Sequence, residues 1–216
     1  FIYCAFLFKL NRFHYERKIN MTSGKQHNTN KGQKLNVQPI RKPEDINMVE
    51  WFLSRNKMVK RDKLLFQFGI NTGLKASDII TRKVGELRRA LNPYIIDEKT
   101  HKRRHLNLTM LEKKIGSYFS DKNDDDWLFT SYKNRSKHIT VNGVYQILQK
   151  LRKEMGKPCF VTHTLRKKFG HHYYKRTHDI ATLMKIFNYS SQKIIKRYIG
   201  VTDDEINQLQ NNFRLG

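Results

Sequence analysis

The segment Thr140–Met155 constrains the fold more than any other part of the chain. Its apolar residues Val144, Ile147, Leu148 and Leu151 recur at three- and four-residue intervals, which is one stripe of an α-helix. Gly156-Lys-Pro ends it. The same pattern predicts helices on either side. Lys42-Pro-Glu-Asp opens one, because Pro43 suits a first turn and Glu44 and Asp45 complement the positive end of the helix dipole. Ile46, Val49, Trp51, Phe52 and Leu53 supply its apolar side. A second helix runs from about Lys60, with Leu64, Leu65, Phe68 and Ile70 inward, and stops at Thr72-Gly73. Ala76-Ser-Asp-Ile-Ile starts a short one, and Thr109–Phe119 is helical.

The pattern changes only between Val84 and Leu108. Tyr94-Ile-Ile-Asp and Arg104-His-Leu-Asn-Leu predict two strands joined by the turn Lys99-Thr-His-Lys. Trp127-Leu-Phe is a short apolar segment, and Asp124-Asp-Asp before it reads as a solvated acidic loop. Helices then return: Thr162–Arg176, then Asp179–Phe187 with Ile180, Leu183, Met184 and Ile186 apolar. A further helix is capped by Ser190-Ser-Gln and carries Tyr198 near its end. Helices, one hairpin and helices again predict a mostly helical α+β domain without internal repeats.

The amino terminus reads differently. Phe1–Leu10 is apolar but short, with no basic leader before it and no small-residue cleavage site after it, which argues against a signal peptide. Residues 1–20 read as an upstream or non-native extension, with Met21 as the natural start. Residues 21–36 are Lys, Asn, Gln and Gly with almost nothing apolar, a basic flexible arm. It is either a tail without a role or an arm that tracks DNA. The folded domain is expected over 37–216.

Charge narrows the partner. The 216 residues carry 43 Lys+Arg against 19 Asp+Glu, a formal net charge of +24. A balance that basic points to a polyanion, nucleic acid first. Cys4 and Cys159 are the two cysteines. Their distance apart argues against a disulfide framework and for a reducing compartment. No apolar run approaches the roughly 20 residues of a membrane span.

The chemistry concentrates in His163-Thr-Leu-Arg166 and in Arg197-Tyr198. Residues three apart share one helix face, so His163 and Arg166 can grip one anion together. Arginine offers a planar fork that matches two phosphate oxygens, and a phenol nearby is a nucleophile for that phosphorus. The histidines 171 and 172 read as surface residues of the same helix, and Tyr173 and Tyr174 as half-buried packing.

Four blocks carry a family resemblance. Asn71-Thr-Gly-Leu-Lys-Ala-Ser-Asp-Ile resembles a T-G-L-R-x-S-E/D block. Glu98-Lys-Thr-His-Lys-Arg-Arg resembles a β-hairpin with a catalytic lysine. His163-Thr-Leu-Arg-Lys-Lys-Phe resembles H-x-L-R-[HK]-[TS]-F. Phe187-Asn-Tyr-Ser-Ser, followed by Lys196-Arg-Tyr-Ile, resembles the block that bears the nucleophile. In this order and spacing, over about 37–200, the chain resembles the catalytic domain of the tyrosine recombinases, or phage-type integrases.

The resemblance implies a site-specific recombinase that cuts and rejoins double-stranded DNA through a 3′-phosphotyrosyl bond on Tyr198, with neither metal nor nucleotide cofactor. It implies that Arg166 holds the non-bridging oxygens, His163 handles protons and Lys99 protonates the leaving 5′ oxygen. Lys75 and Tyr189 complete the site. Lys102, Arg103, Arg104, Lys167, Lys168, Lys196 and Arg197 are the expected DNA contacts. Four protomers on two duplexes, in the cytoplasm with the bacterial nucleoid, are implied as well.

Two positions depart from the family pattern. Lys75 stands where the family has its first arginine, and it keeps the charge but loses the fork. Tyr189 stands where the family has His or Trp, either donating one hydrogen bond or packing. Lys75 therefore raises an alternative: a relative that binds DNA but cuts slowly or not at all. Most of the family also carry a helical domain before this one, so the chain is either a minimal recombinase or lacks the clamp half. The amphipathic piece Asp203–Asn212, with Phe213 after it, either covers its own core or docks on a neighbouring subunit.

Overall fold

A computed structural model describes residues 43–201, except 91, 98–100, 102, 157–159 and 161. Residues 1–20, the basic arm 21–36, Lys99, Lys102 and the piece Asp203–Asn212 lie outside the described residues. So does the side chain of Arg104.

The described residues open with α1 (Pro43–Leu53), α2 (Val59–Thr72), α3 (Ala76–Ile80) and α4 (Val84–Arg88). The hairpin β1 (Tyr94–Ile96) and β2 (Arg103–His105) follows. A 3₁₀ turn (Thr109–Leu111) then leads into α5 (Glu112–Phe119). Among the described residues the remaining helices are α6 (Val141–Glu154), α7 (Thr162–Thr177), α8 (Ile180–Phe187) and α9 (Gln192–Ile199). The strands pair antiparallel, with Ile95 opposite Arg104. The mostly helical α+β class expected from the sequence is the class observed.

Local signals account for most boundaries. Gly73 ends α2 in the left-handed conformation at φ +61°, a backbone position that glycine takes without a Cβ penalty. The Thr140 side chain accepts from Gly143 N–H at 3.0 Å to start α6. Asp179 accepts from Thr182 N–H at 2.8 Å to start α8, and Ser191 caps α9.

Some expectations need correction. The short helix α4 carries no periodic signal; it forms because the loop at 124–126 accepts its first N–H groups. Val84 N–H donates to the Asp126 carbonyl at 3.0 Å and Gly85 N–H to the Asp124 carbonyl at 2.9 Å. That acidic loop is therefore not simply solvated, since the Asp124 carboxylate also pairs with Arg88 and, at 3.8 Å, with Arg89. Trp51 is 40% exposed and lies under the Arg55 guanidinium, 5.2 Å from its ring. Val49 and Leu53 take the buried face, and a residue midway between them points roughly the other way. His171 is buried, not on the surface. The second strand is shorter than expected, although Leu106 and Leu108 after it are buried.

Two apolar clusters organise the interior. The larger surrounds α2 and contains Leu64, Leu65 and Phe68 with Phe129, Leu148 and Leu165. The smaller joins α7, α8 and α9 through Tyr174, Leu183, Phe187, Ile195 and Ile199, with Tyr189 and Tyr198 packed against it. Helix α7 belongs to both, through Leu165 and Tyr174. Its approach to α2 requires glycine, because a Cβ on Gly69 would lie 2.6 Å from Leu165 Cδ1. This anchoring fixes the helix that carries His163 and Arg166.

Candidate active site

Arg166 points inward from the first half of α7 and is 6% exposed. Its Nη1 donates to the Gly73 carbonyl at 2.6 Å and its Nη2 to the Phe187 carbonyl at 2.9 Å. Both carbonyls lie where a helix ends and orphan acceptors are left over. The guanidinium also stacks on Phe187, with Cζ 4.1 Å from the ring centroid. Burial lowers its pKa, and the neighbouring Tyr198, Tyr189, Asp78 and Asp97 oppose that. Arginine remains charged throughout. The group is thus a fixed cation bolted to the ends of α2 and α8.

Tyr198 comes to this cation from the last turn of α9. Its ring centroid lies 5.9 Å from Phe187 and 5.6 Å from Tyr189. Burial pushes the phenol up to about 12, while the Arg166 charge and a hydrogen bond from that guanidinium pull the other way. The phenol is therefore neutral at pH 7, and a bound nucleophile needs a route for its proton. Lys167 Nζ lies 5.3 Å from the Tyr198 ring. His163 is exposed on the same helix; desolvation of its ring, then the Arg166 and Lys167 charges, lower its pKa. Its imidazole is neutral at pH 7 and able to accept a proton.

Lys75 starts α3, two residues after Gly73. Its Nζ forms an ion pair with Asp97 Oδ2 at 2.8 Å. Asp78, in the same α3, is buried and acts on Arg166 together with Asp97. The structure therefore gathers Arg166, Tyr198, Tyr189, Lys167, Lys75 and Asp97 around one region, with His163 one helical turn from Arg166. Neither Asp97 nor the Gly73 and Phe187 carbonyls were expected as site groups. The acidic pair Asp97-Glu98 directly before Lys99, at the entry to a basic turn, was the available signal for Asp97.

The flanking cations divide. Arg103 is exposed and covers Tyr94, 4.7 Å from its ring. Arg197 is exposed and Lys196 half-buried on the last turn of α9. Lys168 does not share their surface: it is 5% exposed, and its Nζ lies 2.8 Å from His172 Nε2. Burial pushes its amine down to about 8, with Asp45 opposing. Among the described residues, no helix is long and apolar enough to cross a membrane.

A mostly helical domain with a buried arginine beside a tyrosine on its last described helix defines a class, and comparison with known proteins places it. The pattern described as "Phage integrase family" matches residues 43–205. The chain belongs to this family, the phage integrases or tyrosine recombinases. It is 41% identical over 170 residues to the "Probable integrase/recombinase YoeC" of Bacillus subtilis (strain 168), covering 78% of this chain and 92% of that protein. The fold is similar to that of XerA recombinase, at TM-score 0.61 and 19% identity over 86% of this chain and 68% of that one. It is also similar to the Tn1549 transposon integrase in complex with circular intermediate DNA. That match has TM-score 0.62 and 11% identity over 84% of this chain and 67% of that one.

Proposed function

We propose that this chain cuts and rejoins duplex DNA through Tyr198. The phenol oxygen attacks the scissile phosphorus, a 3′-phosphotyrosyl bond forms, and the bond to the 5′ oxygen breaks. Lys99 gives the leaving oxygen its proton, and His163 handles protons beside the phosphate. Arg166 and Lys75 balance the charge that develops on the phosphorane. Tyr189 packs beside the nucleophile. The bond energy stays in the protein–DNA link, so rejoining needs no nucleotide. The juxtaposition of the Tyr198 phenol and the fixed Arg166 guanidinium supports this reading most directly.

Arg103, Lys167, Lys196 and Arg197, with Lys102 and Arg104, supply phosphate contacts, and binding weakens steeply with salt. Lys168, although buried, remains on the helix that faces the phosphate. The working assembly is four protomers on two duplexes, in the bacterial cytoplasm with the nucleoid.

One observation favours a second reading, a relative that binds DNA and cuts poorly. Lys75 stands where the family has an arginine, and losing one such donor typically costs about 10²–10³ in rate. A nicked suicide duplex carrying the target site separates the two. Cleavage through Tyr198 yields a covalent adduct that disappears in Tyr198→Phe. An adduct unchanged by that substitution rejects the mechanism, and binding without any adduct selects the second reading.

A further inference from the structure

The Lys75–Asp97 ion pair joins two distant parts of the chain. Lys75 sits at the start of α3, just after the turn whose Gly73 carbonyl holds Arg166. Asp97 follows β1, and in sequence it precedes Lys99 by two residues. The carboxylate is 15% exposed and the lysine side chain 35%. The same carboxylate acts on Arg166 and favours its charged form. A negative group therefore stands against two of the cations assigned to the scissile phosphate.

For DNA affinity alone this placement is unfavourable, because a carboxylate repels a phosphate. What it supplies is geometry. An arginine brings a planar fork that is already oriented, whereas a lysine brings a point charge on a flexible four-carbon stem. An ammonium group has three donors. With one engaged by Asp97, the stem is held and the other two are directed away from the carboxylate.

We infer that Asp97 is a positioning residue for strand cleavage: its ion pair aims Lys75 Nζ at the scissile phosphate, replacing the orientation that an arginine fork carries by itself. This rests on the cleavage reading above. It separates two quantities that a purely structural residue would move together. Neutralising Asp97 removes repulsion, so DNA binds as well or better. It also frees Lys75, so cleavage slows.

The test uses the full chain and the nicked suicide duplex, with affinity and adduct rate at saturating DNA measured separately. Asp97→Asn should lower the rate about 10-fold, less than the 10²-fold a full ångström of misplacement costs, without weakening binding. Asp97→Glu should recover most of the rate, and Asp97→Asn should cost nothing more in a Lys75→Ala background. Faster cleavage in Asp97→Asn makes the carboxylate an inhibitor and overturns the inference. Weaker binding together with slower cleavage, or an undiminished further loss in the Lys75→Ala background, also overturns it. Failure of the cleavage reading looks different: the wild-type chain makes no adduct, while Lys75 acetylation by N-hydroxysuccinimide acetate in the DNA-free protein still rises several-fold in Asp97→Asn. If that labelling does not rise, the ion pair is absent in solution and the inference falls.

Discussion

Replacing Gly170 by alanine sets two effects against each other on the helix that carries Arg166. Gly170 is buried in α7, and a Cβ there would lie 2.6 Å from Ile199 Cγ2 and 2.8 Å from Phe187 Cε2. Alanine favours the helix by about 1 kcal/mol over glycine. Overpacking a fitted interface costs about 1–3 kcal/mol, so the net loss is about 0–2 kcal/mol. In a chain of this size that lowers Tm by several degrees at most. The functional cost is larger. Ile199 Cγ2 is bonded close to the α9 backbone, and Phe187 is held by Arg166 through its carbonyl and its ring. Neither neighbour yields cheaply, so the contact opens by moving α9, and Tyr198 with it. A displacement approaching 1 Å at a reacting group costs about 10²-fold in rate. Thermal unfolding and single-turnover adduct formation on the suicide duplex measure the two effects. Adduct formed at the wild-type rate would show that the contact relaxes without moving α9, and the reasoning would be wrong.

Other substitutions probe separate parts. Lys75→Arg restores the fork, and adduct formation should rise by about 10–10²-fold; quench-flow or gel time courses on the suicide duplex will show whether it does. Leu165→Ala removes a buried contact between α7 and α2 and should cost about 2–5 kcal/mol in urea unfolding. Lys168 predicts a pH dependence. Its amine falls from 10.5 unfolded to about 8 folded, so the unfolded chain binds more protons between those values. Stability therefore climbs as pH rises from about 8 toward 10. Urea unfolding between pH 7.5 and 9.5 should show that climb and its flattening in Lys168→Gln; an equal slope in both proteins would assign it to other groups.

Much of the fold was legible because helix signals are local. Val144, Ile147, Leu148 and Leu151 define a face whatever lies across from it, and Gly73, Asp179 and Ser191 end or start helices through their own backbone and side-chain chemistry. The four blocks likewise pointed to Arg166, His163 and Tyr198, of which the structure brings Arg166 and Tyr198 together. Helix α4 was illegible because its acceptors, Asp124 and Asp126, come from some forty residues later in the chain. Lys168 read as a DNA contact and His171 as a surface residue because the short-range pattern on α7 does not say which neighbours cover it.

The sequence by itself determined most of the helical segments and where they stop, a net charge that suits a polyanion, and which residues are suited to phosphate chemistry. Those properties depend on neighbours three or four positions apart and on summed charge. Only the tertiary structure decided that Arg166 turns inward onto the Gly73 and Phe187 carbonyls, that Lys75 is held by Asp97, and that Lys168 lies inside. Each depends on a group brought from a distant part of the chain or on the packing around it. Burial of a charge is stabilised or penalised by the partners it meets in space, and no local spacing encodes them.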